Sequence, residues 1–190
     1  MKAFLDKKKW ISLIYKCLIA GGIILVDLLT KSFFQSYFAD GDRDPIVIIE
    51  KVISFVYVRN TGAAFGMFED NAMMLAVFSI VFLMVFLIFD FVCGDKNIWY
   101  FLGFGFVLGG AIGNMVDRIA FGYVRDFVYL NFMKWFPVFN VADIFLTVGM
   151  ICFAVYIVFF MFKDEKKEDK KETVETSTTD SSDTKEQDNG

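Results

Sequence analysis

The chain has 190 residues, 56% of them hydrophobic and 25 of them Phe, with a net charge of −4. That length allows one domain, and a mean hydropathy of +0.52 with charges segregated to the two ends and a region near residue 40 fits a membrane protein. No His is present, which excludes His-based triads, His general bases and His metal ligands, and no basic patch interleaved with aromatics points to nucleic acid.

Four apolar stretches reach the roughly 20 residues that a bilayer-spanning helix needs. The first, about Trp10–Phe34, follows Lys2, Lys7, Lys8 and Lys9. A basic start before an apolar run resembles a secretory signal. This run is too long for that, carries Asp27 and Lys31, and lacks small residues ahead of Cys17. It reads as an uncleaved first span. The connection to residue 71 holds two β-branched and aromatic runs, Pro45–Lys51 and Val52–Val58, which predict a small sheet.

The second span is about Ala72–Cys93, and the tight turn Gly94-Asp95-Lys96-Asn97 leads to a third, about Ile98–Val116. The next connection, Arg118–Pro137, reads as a loop over Phe121–Phe127. With the apolar stretch to Trp135 it lies along the interface, Tyr123, Tyr129 and Trp135 at headgroup level. The fourth span is Val138–Phe162. Residues 163–190, rich in Lys, Glu, Asp, Ser and Thr, predict a disordered tail outside the catalytic unit, so that 1–162 form the four-span domain. Cys17, Cys93 and Cys152 have neither disulfide nor zinc spacing and read as small hydrophobes packed among helices. The N-terminal lysines, with Lys163, Lys166 and Lys167, put both termini in the cytoplasm.

In that topology the costly intramembrane polar groups converge on one face. Asp27 and Lys31, an i,i+4 pair, reach the outer end of span one. Asn114, Asp117 and Arg118 close the outer end of span three. Asn140 and Asp143 open span four. Asp126 and the turn from Asn60 lie in the outer connections. Asp90 sits near the inner end of span two, where interfacial water is expected to solvate it. Gly105, Gly109 and Gly113 form overlapping small-xxx-small pairs for close helix packing. Gly110, one turn before Asn114, leaves room for a substrate backbone.

Two carboxylates sharing a site hold one proton between them. One can then act as base on a water while the other polarises a scissile carbonyl. Asp126 and Asp143 are the best such pair, since Asp117 beside Arg118 and Asp27 near Lys31 read as structural ion pairs. On spacing alone, a purely structural role in holding the helices in register stays open.

Four blocks resemble lipoprotein signal peptidase, the bacterial type II signal peptidase: Asp27-Leu-Leu-Thr-Lys31; Asn60-Thr-Gly-Ala-Ala-Phe65; Gly109 to Arg118 with Gly122 to Phe127; and Phe139-Asn-Val-Ala-Asp143. The resemblance covers about residues 10–162. It implies an all-α membrane bundle of four transmembrane helices with a small outer-face β-cradle and a short interfacial helix. It further implies an aspartyl endopeptidase of the bacterial cytoplasmic membrane, its site towards the outer face. That enzyme cuts diacylglyceryl-modified prolipoproteins just before the lipidated cysteine. Carried over, Asp126 and Asp143 are catalytic, and Asn60, Gly110, Asn114, Asp117, Arg118, Asn140, Asp27 and Lys31 support them. No metal or cofactor is implied, membrane lipids and the lipid-modified substrate are the partners, and a monomer suffices. Two positions depart from the pattern: Leu28 replaces a usual Gln, and Arg125 a usual aliphatic residue. Arg125 beside the dyad is expected either to lower the pKa of Asp126 or to meet lipid headgroups.

Three other classes compete. A transporter needs polar residues across the bilayer depth, and the inner half offers almost none. A scaffold predicts that neither Asp126 nor Asp143 matters for activity. A metal hydrolase would have to bind its ion without His, which makes a poor transition-metal site.

Overall fold

A computed structural model of the chain describes residues 7–39, 41, 43–62, 71–94 and 97–161. In chain order the elements are α1 (Lys7–Tyr37), β1 (Ile46–Ile49), β2 (Ile53–Asn60), α2 (Ala72–Cys93), α3 (Ile98–Phe121), β3 (Val124–Leu130) and α4 (Val141–Tyr156). A π-helical turn, Ile157–Met161, continues α4. All four α-helices are long and apolar enough to cross a membrane. The 31 residues of α1 extend about 46 Å at 1.5 Å per residue, so this helix runs past a bilayer core and meets the sheet. The tail from residue 163 and half of the turn at 95–96 lie outside the described residues.

The third helix is the hub. Of its spanning window 61% is buried, against 17–22% for the other three helices. Leu18, Leu25, Val85 and Met150 instead stand exposed on their outer faces, as lipid-facing helices require. Glycine lets the neighbours approach α3. A Cβ on Gly109 would stand 2.9 Å from Ile23 Cβ in α1, and one on Gly110 would stand 2.4 Å from the Ala142 carbonyl in α4. The space beside Gly110 is therefore filled by the α4 backbone and leaves no room for a substrate; its role is helix packing. Cys152 is buried in this packing, whereas Cys17 is exposed on α1 and does not pack among helices.

The segment after α3 is a strand where a loop was expected. Gly122 takes φ +77, a conformation that suits glycine. Its N–H bonds the Arg118 carbonyl at 3.1 Å, ending the helix. The chain then pairs along β2, with Val58 opposite Asp126 and Asn60 opposite Val124, in an antiparallel sheet of order β1-β2-β3. Residues 124–128 are buried on both faces, which erases the alternation that marks a half-exposed strand. Phe127 stacks on Phe34 of α1, centroids 4.4 Å apart, and pins the sheet to the end of the bundle. Residues 131–137 form turns, with Trp135 exposed; a short interfacial helix is not found among the described residues.

Asp90 is not left to interfacial water. Its carboxylate pairs with Lys16 of α1, and both side chains are almost fully buried. The Lys16 ammonium also lies 5.0 Å and 4.9 Å from the ring centroids of Tyr100 and Phe104. A hydropathy profile carries no information about the partner of Lys16, 74 residues away.

Candidate active site

The elements bring their polar groups to one end of the bundle, around the first turn of α4. Asn140 is the N-cap of that helix. Its Oδ1 accepts from the Asp143 N–H at 3.0 Å, and the Asn140 N–H donates to Asp143 Oδ2 at 3.1 Å. This reciprocal capping box satisfies two otherwise unpaired groups and holds the Asp143 carboxylate at the helix mouth. Asp27 reaches in from α1, and its Oδ1 accepts the Ala142 N–H at 2.9 Å, satisfying a further α4 donor. The positive end of the α4 dipole favours carboxylates there.

Asp126 comes from β3. Asn60 Nδ2, at the end of β2, donates to its Oδ2 at 2.8 Å, and Asn140 Nδ2 donates to its Oδ1 at 2.6 Å. Asn140 thus bridges the two carboxylates, holding Asp126 with its side chain and Asp143 with its main chain. From α3, Asn114 Nδ2 donates to Asp143 Oδ1 at 2.8 Å while Asn114 Oδ1 accepts from Asn140 Nδ2 at 3.0 Å. Asp126 is only 2% exposed. Burial, reinforced by the nearby Asp143 charge, pushes its carboxyl up to about 7 against the donors Asn60 and Asn140.

Behind this layer lie two ion pairs. Lys31 Nζ stands 2.7 Å from Asp27 Oδ2 and 3.6 Å from Asp117 Oδ2, and all three side chains are fully buried. Asp117 pairs chiefly with Arg125, not with the adjacent Arg118. It accepts from the Arg125 main-chain N–H at 3.0 Å, from Nε at 3.1 Å and from the terminal nitrogen at 2.6 Å. Consecutive helix residues diverge by about 100°, so Asp117 and Arg118 cannot share a face. Arg125 also donates to Gln35 Oε1 at 2.9 Å and stacks on Phe121. Its guanidinium therefore meets neither Asp126 nor headgroups.

Arg118 turns the other way. It lines a cleft of about 510 Å³ together with Asn60, Asn114, Asp126 and Asp143. One terminal nitrogen donates to the Gly62 carbonyl at 3.4 Å, and the buried Nε has no hydrogen-bond partner among the described residues. Leu75, Phe78, Ser79 and Phe82 of α2 line one part of the cleft, and Phe136–Phe139 with Leu146 of α4 line another. Elsewhere in the bundle, Phe86 of α2 and Phe153 of α4 meet edge to face, centroids 5.5 Å apart. Hydropathy gives α2 no role beyond spanning; the one signal was Ser79, a lone hydroxyl in an apolar helix, bonded at 2.8 Å to the Leu75 carbonyl.

The arrangement offers two carboxylates, a guanidinium and an apolar channel ending on them. No group of His, Cys, Asp and Glu among the described residues has the geometry to hold a metal. The site can hold a proton on one carboxyl and accept a proton from water on the other.

Comparison with known proteins places the chain beside peptidases. A family model described as Signal peptidase (SPase) II matches residues 6–159. A lipoprotein signal peptidase of Microcystis aeruginosa is 41% identical over 130 residues, 68% of this chain and 82% of that protein. One from Lactobacillus johnsonii is 37% identical over 137 residues, 72% of this chain and 87% of that protein. A solved bacterial membrane enzyme superposes with a TM-score of 0.67 at 28% identity, covering 80% of this chain and 90% of its own.

Proposed function

The chain belongs to the signal peptidase II family and is a multi-pass membrane aspartic peptidase that removes the signal peptides of prolipoproteins; within that activity we propose that Asp126 and Asp143 are the catalytic pair. The observation that carries this is their joint suspension from Asn140, which faces both carboxylates into one cleft.

The chemistry follows from the groups at hand. With its carboxyl raised to about 7, Asp126 holds the shared proton near neutral pH and donates it to the scissile carbonyl oxygen. Asp143 takes a proton from water as the water oxygen bonds to the carbonyl carbon. Collapse of the resulting diol breaks the C–N bond. The leaving nitrogen takes the proton from Asp143, and the diol hydroxyl returns one to Asp126. Asn60, Asn114 and Asn140 hold the two carboxyl groups in register, and Arg118 faces the substrate channel.

The substrate is a prolipoprotein whose lipobox cysteine carries diacylglyceryl, cut just before that cysteine. The apolar walls of the cleft, from Leu75 to Phe82 and at Leu146, suit the acyl chains. The basic N-terminal flank supports cytoplasmic termini, with the site towards the outer face and residues 163–190 as a cytoplasmic tail without a part in cleavage. One chain supplies every group in this scheme, so a monomer is sufficient.

The test is cleavage of such a substrate by purified protein in detergent. Asp126→Asn and Asp143→Asn each lower kcat at least about a thousandfold, as for residues that act as one unit. Cleavage surviving in both variants overturns the assignment.

A further inference from the structure

Three asparagines present amide N–H groups to the two carboxylates, and each amide must stand the right way round to do so. A reversed amide would turn an oxygen towards a carboxylate oxygen. For two of them the main chain decides the orientation: Asn60 Oδ1 accepts the Gly62 N–H at 3.1 Å, and Asn140 Oδ1 accepts the Asp143 N–H at 3.0 Å. Asn114 sits inside α3, whose own N–H groups are used by the helix. Its Oδ1 is held by the Lys31 ammonium at 2.9 Å instead.

We propose that Lys31 is the positioning residue of the dyad: by fixing the orientation of the Asn114 amide it delivers one N–H to Asp143 directly and keeps an acceptor, not a donor, facing the Asn140 amide that holds Asp126. The chain of donors is continuous. Lys31 Nζ donates to Asn114 Oδ1, and Asn114 Nδ2 donates to Asp143 Oδ1. Asn140 Nδ2 shares its protons between Asn114 Oδ1 at 3.0 Å and Asp126 Oδ1 at 2.6 Å. If Asn114 reversed, its NH₂ would face the NH₂ of Asn140, and the two donors would repel beside Asp126. An ammonium can do this work because it has three protons and no acceptor, so it cannot stabilise the reversed amide.

The rest of the charge frame leaves Lys31 free to act. Its own helix contributes Asp27, and α3 contributes Asp117 and Arg118. From β3 come Arg125 and Asp126, and from α4 Asp143. Asp27 neutralises Lys31 at 2.7 Å. Arg125 takes Asp117 through three hydrogen bonds, so Asp117 remains 3.6 Å from Lys31 and does not draw its proton from Asn114. Arg125 is one of the two departures from the family pattern. In this chain it supplies the cation that lets Lys31 serve Asn114.

The proposal rests on the Asp126–Asp143 reading, and its experiment separates the two. The full chain in detergent is assayed on a diacylglyceryl-modified prolipoprotein from pH 4 to 9, as wild type, Lys31→Met, Asn114→Leu and their double variant. Lys31→Met is expected to lower kcat at least tenfold, to change KM less than twofold and to move the pH–rate profile upward by half a unit or more. The upward direction follows because a carboxylate that loses an N–H donor holds its proton more tightly. In the Asn114→Leu background the same substitution is expected to add almost nothing. Should Lys31→Met not fold, Asp27→Asn/Lys31→Met removes the opposite charges together and keeps an acceptor for the Ala142 N–H. An unmoved profile with only less folded protein overturns the proposal. So does an equal Lys31 effect with and without Asn114, which would mean action by charge alone. Activity surviving in Asp126→Asn sinks the underlying dyad instead.

Discussion

Arg125 and Asp126 are neighbours in β3 and stand back to back. Side chains alternate across a strand, so the Arg125 guanidinium reaches Asp117, Gln35 and Phe121. The Asp126 carboxylate reaches Asn60 and Asn140 on the other face. One residue anchors the strand to α1 and α3, and the next delivers its carboxylate to the mouth of α4. A cation adjacent in sequence to the dyad is thereby kept out of it.

Breaking that anchor has a defined cost. Removing one partner of a buried ion pair strands the other charge and typically costs about 3–5 kcal/mol. Arg125→Met is expected near the lower end, because Lys31 remains 3.6 Å from Asp117. Asp117→Leu/Arg125→Met removes both charges and recovers part of the loss. Thermal unfolding in detergent checks both. An Arg125→Met protein as stable as the parent would mean that Asp117 is held by Lys31 alone.

The raised carboxyl of Asp126 makes stability depend on pH. Its folded value is about 7, against 3.8 for an ordinary Asp. Between those values the folded chain keeps a proton that the unfolded chain has lost. Folding is therefore favoured below about pH 4, and this contribution falls away as pH rises from 4 to 7. Melting temperatures of wild type and Asp126→Asn, compared from pH 4 to 8, are expected to differ by an amount that shifts steadily against the wild type as pH rises. A difference independent of pH would show that Asp126 titrates normally.

Hydropathy carries the four spans because burying charge in a bilayer is expensive enough to mark every crossing. The bounds of α2 matched the stretch Ala72–Cys93 directly. The convergence of Asp27, Asn114, Asn140 and Asp143 was also legible, since four crossings determine which helix ends meet. Partner choice within the cluster was not legible. Asp117 stands next to Arg118 in the chain and pairs with Arg125, because helix geometry turns consecutive residues apart and only the fold brings β3 over α3. Strand β3 was hidden for a related reason: buried on both faces, it lacks the period of two. The Lys16–Asp90 pair was invisible because each residue alone resembles an interfacial charge.

The glycines of this bundle are not equivalent in what surrounds them. A Cβ on Gly110 would meet the Ala142 carbonyl at 2.4 Å, whereas one on Gly21 or Gly22 would meet nothing within 4 Å. Gly110→Ala must push α4 away from α3 and is expected to cost about 1–3 kcal/mol, as overpacking does. It also disturbs the Asn114–Asp143 contact, so kcat falls with it. Gly21→Ala and Gly22→Ala are expected to be neutral or to gain up to about 1 kcal/mol from helix propensity. Unfolding and cleavage measured on the same three variants decide the matter. A Gly110→Ala protein with full stability and activity would mean that the α3–α4 interface yields more readily than its contacts indicate.

The cleft supplies the sharpest test of how the substrate arrives. Its α2 wall is built by Leu75, Phe78, Ser79 and Phe82, and the Ser79 hydroxyl bonds the Leu75 carbonyl rather than a group of the dyad network. Ser79→Trp fills the channel and leaves the carboxylates, their asparagines and the ion pairs untouched. The hydroxyl it removes bonds only to the main chain of its own helix, so little stability is lost. KM for a diacylglyceryl-modified substrate is expected to rise at least about tenfold while kcat at saturation changes little, the pattern expected when binding shared by ground and transition states is removed. An unchanged KM, in a protein that Asp126→Asn still inactivates, would route the substrate to the dyad along another face of the bundle.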